Sequence, residues 1–306
     1  MRNEPLYPQR GHAAILTNRR YPVVLVHGWR SHPGIWNRLT PVLSDAAVPF
    51  WLFDYAAMQN AGTEAIALAL QDYIHTKREE TGYSGPVDVV CHSMGTCIAR
   101  YLLEVLDGGT REEGVRQLVG IGPPNNGSAM AELFNDPLRG PEVIRSLAGV
   151  FVPPDYDPGD DTIVQEFRPR SRIVAALRAA GTRDDIAYRI VLAVNLTRTP
   201  AFFPIFDGRT WEIAPDGGWR ATYAGDGIVP HIDSHLPGVR ADVIPADPVN
   251  FARHPKQYCH IMLPRNPEVV ARIMEYLCSP DAGPAGDFPE PFTSSANPAA
   301  RTLPRR

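Results

Sequence analysis

Between residues 22 and 122 two hydrophobic periodicities alternate. Tyr21-Pro22-Val23-Val24-Leu25-Val26 is almost continuously apolar, the pattern of a strand buried on both faces of a parallel sheet. It stops at His27-Gly28-Trp29-Arg30, after which Trp36, Leu39, Val42 and Leu43 fall on one face of a helix. A second strand, 48–53, ends at Asp54-Tyr55, and Thr63 opens a long helix that turns Ile66, Ala69, Leu70, Tyr73 and Ile74 inward. Gly85-Pro86 closes that connection and starts a third strand, Val87 to Val90. A helical pattern at Ile98, Tyr101, Leu102, Val105 and Leu106 follows, then a fourth strand from Gln117 to Ile121. Regular alternation of this kind predicts an α/β fold, a mostly parallel, doubly wound sheet with helices on both faces.

The alternation fails after residue 128. Helical patches at 129–135, 142–150 and 171–180 surround an acidic, proline-rich stretch, Val152-Pro153-Pro154-Asp155-Tyr156-Asp157-Pro158-Gly159-Asp160-Asp161, and no strand pattern interrupts them. So few apolar positions do not make a second domain, so 128–187 reads as a helical lid or cap inserted over the mouth of the sheet. Sheet order resumes at Tyr188 to Val194. Residues 200–222 carry Phe202, Phe203, Phe206, Trp211 and Trp219 among turn residues, which predicts a hairpin near the same mouth. A tight loop from Ala224 to Pro230, a short last strand from Ala241 to Pro245 and an amphipathic helix from Pro267 to Leu277 complete the pattern. The division is an N-terminal arm at 1–20, one domain at 21–278 containing the 128–187 insertion, and a Pro-rich C-terminal tail at 279–306.

Composition narrows the classes. The chain has 306 residues, 44% hydrophobic and 21% charged, enough for a sizeable core, and its net charge of −4 leaves no footprint for nucleic acid or an anionic membrane surface. No apolar run reaches transmembrane length, and Met1-Arg2-Asn3-Glu4-Pro5 lacks the apolar core of a secretory signal. Four cysteines, Cys91, Cys97, Cys259 and Cys278, are too few and too scattered for a disulfide framework. The expected location is cytoplasmic; a chain whose signal had been removed would read the same way, so secretion stays open.

The third strand runs into Cys91-His92-Ser93-Met94-Gly95-Thr96. A serine at a sharp strand-to-helix turn is lifted clear of the sheet, and the positions two residues to either side must be small. Gly95 meets that demand, and Cys91 stands where glycine is usual in G-x-S-x-G. A serine hydroxyl attacks only when a histidine takes its proton, and the histidine needs a carboxylate to fix its tautomer. In a doubly wound sheet the carboxyl ends of the strands converge on one crevice, so both partners belong on loops after later strands. Asp226, between two glycines, is the preferred acid, with Asp233 and Asp247 as rivals; His260, just before the closing helix, is preferred over His254 as the base. Backbone N–H groups of Trp29 and Met94 are the expected oxyanion donors. His27 and His92 are expected to hold backbone. His231 and His235 are spaced i, i+4 but lack a third ligand, so neither metal nor cofactor is expected.

Taken together, Val24-Leu25-Val26-His27-Gly28-Trp29, Cys91-His92-Ser93-Met94-Gly95, Gly122-Pro123-Pro124-Asn125-Asn126-Gly127, Gly225-Asp226-Gly227-Ile228-Val229-Pro230 and Cys259-His260-Ile261-Met262-Leu263 resemble the bacterial lipase and esterase branch of the α/β-hydrolases. The chain is most similar to the small triacylglycerol lipases, whose elbow reads A-H-S-M-G and whose first loop reads V-H-G. The order Ser93, Asp226, His260 is the order of that fold. The resemblance implies carboxylic-ester hydrolysis through an acyl-enzyme on Ser93. Cys91 and the 128–187 insertion depart from the smallest members, which lack a lid; some lidded relatives bind calcium, and the acidic loop 155–161 is where this chain would do so. Trp29, Trp36, Phe134, Phe202 and Phe203 are the expected lining of an acyl-chain site, though the same residues would serve as core. The expected partner is a small-molecule or lipid ester, with transient contact at a lipid interface; the oligomeric state is not legible. Two alternatives stay open: a thioesterase or acyltransferase using the same triad, and a non-catalytic small-molecule receptor.

Overall fold

A computed structural model describes residues 21–278 apart from Gln59; the expected arm at 1–20 and tail at 279–306 lie outside the described residues. Its strands are β1 (Val23–Val26), β2 (Phe50–Phe53), β3 (Val87–His92), β4 (Val115–Ile121), β5 (Ala187–Ala193), β6 (Thr210–Ile213), β7 (Trp219–Thr222) and β8 (Ala241–Ile244). Six of them form one sheet in the order β2-β1-β3-β4-β5-β8, every neighbouring pair parallel, while β6 and β7 pair antiparallel as a separate hairpin.

The unbroken apolar run of β1 follows from its central place. Val23 and Leu25 enter one core with Val90, Val119 and Ile121, while Val24 and Val26 enter the opposite core with Val89, Cys91 and Ile98. A strand buried on both faces has no polar side to show. Helix α1 (Leu39–Asp45) lies on the first face and α2 (Thr63–Thr81) on the second, joined there by α3 (Met94–Arg100). Helix α3 runs on as a π-helical turn, Tyr101–Leu106, which the 3.6-residue pattern did not foretell. A buried polar network explains why its inward face is not wholly apolar. The Arg100 guanidinium donates to Glu104 Oε1 and Oε2 (2.9 and 2.8 Å) and to Asn125 O (3.1 Å), and Asn125 Nδ2 donates to Ser234 O (2.7 Å).

Residues 128–187 contain α4 (Ala129–Phe134), α5 (Gly140–Leu147), α6 (Thr162–Glu166) and α7 (Arg172–Ala180). Ser128, Asp161 and Ser171 cap three of these through the N–H groups of Ala131, Val164 and Val174. Helix α6 was not foreseen, because five residues are too few to display a period. The segment has no core of its own. Leu133, Phe134, Val143, Leu147 and Val152 extend the first core, and Ile163, Phe167, Val174 and Leu177 the second. Polar clasps reinforce this: Glu166 Oε2 accepts from Thr63 N (2.6 Å) and Oγ1 (2.7 Å), closing the N-terminus of α2.

The hairpin expected at 200–222 spans only β6 and β7. Phe202, Phe203 and Phe206 lie in two 3₁₀ turns ahead of it, each opened by a proline that presets the turn. The described residues close with α8 (His231–Ser234), α9 (Pro248–Arg253) and α10 (Pro267–Cys278), the last contributing to the same core as α1. Among the described residues no helix is long and apolar enough to cross a membrane. Parallel pairing puts the carboxyl ends of all six strands on one edge. Because β1 lies between β2 and β3, the connections leaving it diverge, and the crevice opens between the loops after β1 and β3.

Candidate active site

Ser93 occupies the turn between β3 and α3 at φ 53° and ψ −130°, a conformation that costs an L-residue roughly 1–3 kcal/mol. Its N–H donates to Ile121 O (2.8 Å) and its carbonyl accepts from Thr96 N (3.0 Å). Gly95 permits the turn by its size: a Cβ there would lie 2.3 Å from His27 O and 2.9 Å from Val26 O. Cys91, two residues on the other side, is fully buried in the second core. Burial pushes its thiol well above the usual range, so it packs as a small apolar group.

The fold carries Ser93, Asp226 and His260, far apart in sequence, into one hydrogen-bonded chain. His260 Nε2 lies 2.9 Å from Ser93 Oγ, and His260 Nδ1 lies 2.7 Å from Asp226 Oδ2. A carboxylate only accepts, so Nδ1 carries the proton and the Nε2 lone pair faces the serine hydroxyl. Asp226 is held from several directions. Its Oδ1 accepts from Ile228 N (3.0 Å) and Val229 N (2.7 Å), its carbonyl accepts from His260 N (2.8 Å), and Gly227 N donates to Thr210 Oγ1 (2.8 Å).

The two neighbouring histidines hold backbone. His27 donates from Nδ1 to Gly28 O (2.9 Å), accepts at Nε2 from Tyr55 N (3.3 Å) and stacks on the Tyr55 ring at 4.0 Å. Tyr55 OH donates to His27 O (2.8 Å), so the loop that carries Trp29 is fixed close over the elbow. His92 Nε2 donates to His260 O (3.1 Å), and burial, followed by the adjacent His260, pushes its pKa well below the usual imidazole value. Met94 is the first residue of α3, so its N–H has no partner within the helix.

A cavity of about 320 Å³ opens at Ser93 and His260. Trp29 and Phe134 line it, packed 6.1 Å apart, and the insertion contributes Met130, Phe151 and Phe167. Trp36, Phe202 and Phe203 do not line it, which corrects the expected acyl-site lining. Trp36 is sealed in the first core, Phe202 packs against Phe251 at 6.0 Å, and Phe203 fills the space beneath Gly227, where a Cβ would meet its ring at 2.7 Å. Aromatic residues near a mouth in sequence serve equally well beneath it.

The rival groups are engaged elsewhere. Asp233 Oδ2 accepts from Ala129 N (2.7 Å), Asp247 caps α9 through Val249 N (2.8 Å), and His254 is exposed at the end of α9. His231 Nε2 donates to Ala193 O (2.8 Å) while His235 is exposed, so the two do not converge. In the acidic loop, Asp161 Oδ2 accepts from Trp29 Nε1 and Arg30 Nη2, both at 3.1 Å, and Asp157 caps its own turn through Gly159 N. Among the described residues no group of three or more His, Cys, Asp or Glu is placed to hold a metal. One contributor escaped the sequence reading. Gly122 takes φ +55°, and a Cβ there would stand 2.7 Å from Asp226 Oδ2 and 3.2 Å from His260 Nδ1. The glycine itself was visible in Gly122-Pro123-Pro124, but not what it faces.

The family model described as "Alpha/beta hydrolase family" matches residues 23–289. No curated protein matches in sequence. Among solved structures, the mature form of the Bacillus licheniformis lipase BlEst2 is similar over 86% of this chain and 93% of its own, at 15% identity and a TM-score of 0.59. The metagenomic carboxyl esterase MGS0156 is similar over 85% of this chain and 77% of its own, at 15% identity and a TM-score of 0.52. At such identities the likeness is one of fold.

Two expectations follow. Gly122→Ala should push Asp226 from His260 and lower the rate at which a fluorophosphonate labels Ser93 by about a hundredfold, since a displacement near 1 Å costs that much; wild-type labelling would show that the pair tolerates the intrusion. Burial pushes the Asp233 carboxyl up to about 7, so the folded chain retains a proton that the unfolded chain releases near pH 4. Stability from this group is full below that pH and is lost as pH rises to about 7. Asp233→Asn should therefore melt several degrees above wild type at pH 8 and show no such gain at pH 4, as read by thermal denaturation.

Proposed function

The chain belongs to the alpha/beta hydrolase family, and within it we propose that this protein hydrolyses carboxylic esters of acyl chains through an acyl-enzyme on Ser93. The observation that carries the reading is the unbroken chain from Ser93 Oγ through His260 to Asp226 Oδ2, opening onto a largely apolar cavity. In this mechanism Ser93 Oγ attacks the ester carbonyl carbon as His260 Nε2 takes its proton, and Asp226 stabilises the resulting imidazolium. The N–H groups of Trp29 and Met94 bind the oxyanion of the tetrahedral intermediate. His260 then protonates the departing alcohol, leaving the acyl group on Ser93. Water, deprotonated by His260, attacks the acyl carbonyl; collapse releases the carboxylic acid and returns the proton to Ser93. Trp29 and Phe134 flank the acyl chain.

The insertion 128–187 acts in this reading as a lid. Asp161 clasps it to Trp29 and Arg30 of the loop after β1, so opening it would also free the loop that carries one oxyanion donor.

p-Nitrophenyl esters from acetyl to palmitoyl test the proposal. Wild type should hydrolyse part of the series, and Ser93→Ala should lose that activity by about four orders of magnitude or more. The chain-length optimum sorts esterase from lipase. A wild type inert on every ester would overturn the reading in favour of thioesters, acyl transfer or ligand sensing. For the lid, the rate per accessible ester should rise when the substrate aggregates; equal rates would remove that role.

A further inference from the structure

The cavity wall is not electrically balanced. Among the described residues its lining includes Arg30, His32 and Arg265, and no aspartate or glutamate. Arg30 is already neutralised, because Asp161 Oδ2 lies 3.1 Å from its Nη2. Arg265 is different: its Nε is buried without an acceptor, and the guanidinium makes no hydrogen bond or ion pair among the described residues. Arg265 is half-buried; the buried arginines, Arg100 and Arg183, each pair with carboxylates at 2.8 Å or closer. Arg189, whose Nε is likewise buried without an acceptor, lies over the Tyr276 ring and not on the cavity.

An arginine cannot relieve such a position by losing its proton, so its buried Nε is a costly donor to leave without an acceptor in this half-buried residue of the cavity wall. Arg265 is also rigidly placed relative to the chemistry. It ends the 3₁₀ turn His260–Arg265 that begins with the base itself. The turn Pro33–Trp36, preceded by His32, packs against it. His32 Nδ1 accepts from Gly34 N (3.1 Å), so its ring proton sits on Nε2, a further donor on the same wall.

We propose that Arg265, assisted by His32, selects esters that carry a second, anionic group, a carboxylate or a phosphate, at a fixed distance from the scissile carbonyl. The planar guanidinium fork matches either oxyanion in a two-point contact. The apolar wall takes the hydrocarbon part of the substrate and the cation takes its charged end. Arg265 thus sets specificity without taking part in the proton transfers. The inference rests on the ester-hydrolase reading.

The test uses matched ester pairs on the full chain. One pair is p-nitrophenyl hexanoate and mono-p-nitrophenyl adipate, with the anion on the acyl side. A second is the butyryl esters of 4-hydroxybenzamide and 4-hydroxybenzoate, with the anion on the leaving side. The third is a monoacylglycerol and the corresponding monoacylglycerol phosphate. In at least one pair the anionic member should show a kcat/KM about tenfold or more above its neutral partner, chiefly through KM, as expected of a charge-assisted hydrogen bond. The favoured pair identifies carboxylate or phosphate. Arg265→Met should collapse that ratio by about tenfold or more, and Arg265→Lys, which keeps the charge but loses the fork, should fall between. Should Arg265→Met not fold, the wild-type ratio, its decline with added salt and the lysine variant decide the matter. Neutral members hydrolysed as fast as anionic ones in every pair, or a ratio that survives Arg265→Met, would overturn the inference and leave the hydrolase reading standing. Failure to hydrolyse any ester, neutral or anionic, would sink both.

Discussion

A single close approach organises the crevice. The turn at Ser93 can form only if the chain two residues later comes against the end of β1, so near that even a methyl group at Gly95 would collide with the carbonyls of Val26 and His27. This contact holds Ser93 in its strained conformation. It also brings the His27–Trp29 loop over the serine, where Gly28 leaves just enough room: a Cβ there would be 3.1 Å from that of Ser93. Strain of this size persists because the sheet on both sides is fully packed and does not yield.

Around that contact, polar groups are tied more than once. Asp226 engages His260 through side chain and main chain together, and His92 holds the carbonyl of the same residue. Such redundancy restricts the imidazole to one tautomer and one orientation. The network from Glu104 through Arg100 and Asn125 to Ser234 does similar work at a distance, linking the helix behind Ser93 to the turn beyond the Asp226 loop. Removing one partner from such a buried set would strand a charge, which is why these residues stand or fall together.

The insertion completes the site rather than decorating it. Its helices extend both cores of the sheet, and its side chains form much of the cavity wall. The Trp29 side chain is gripped by Asp161 and surrounded by Phe134, Phe151 and Tyr156, all from the insertion, while its backbone belongs to the loop after β1. The placement of residues 128–187 and the geometry of that loop are therefore coupled through one residue.

Local chemistry made much of this legible from residue order alone. The double-faced burial of β1 was written in an unbroken apolar run, the elbow in a serine between a β-branched strand and Gly95, and the Asp226 turn in its flanking glycines. Each is a demand met within a few residues of itself. Contacts between distant segments were not legible in that way. Whether Trp36 or Phe134 faced the cavity depended on which side of a shared core each landed, and apolar side chains satisfy either place equally. The sequence could not say that Gly122 abuts Asp226 and His260, that Glu166 closes α2, or that Arg30 finds a carboxylate and Arg265 finds none among the described residues. Those pairings form only when strands far apart in order are laid side by side, and the spacing of residues along a chain carries no record of them.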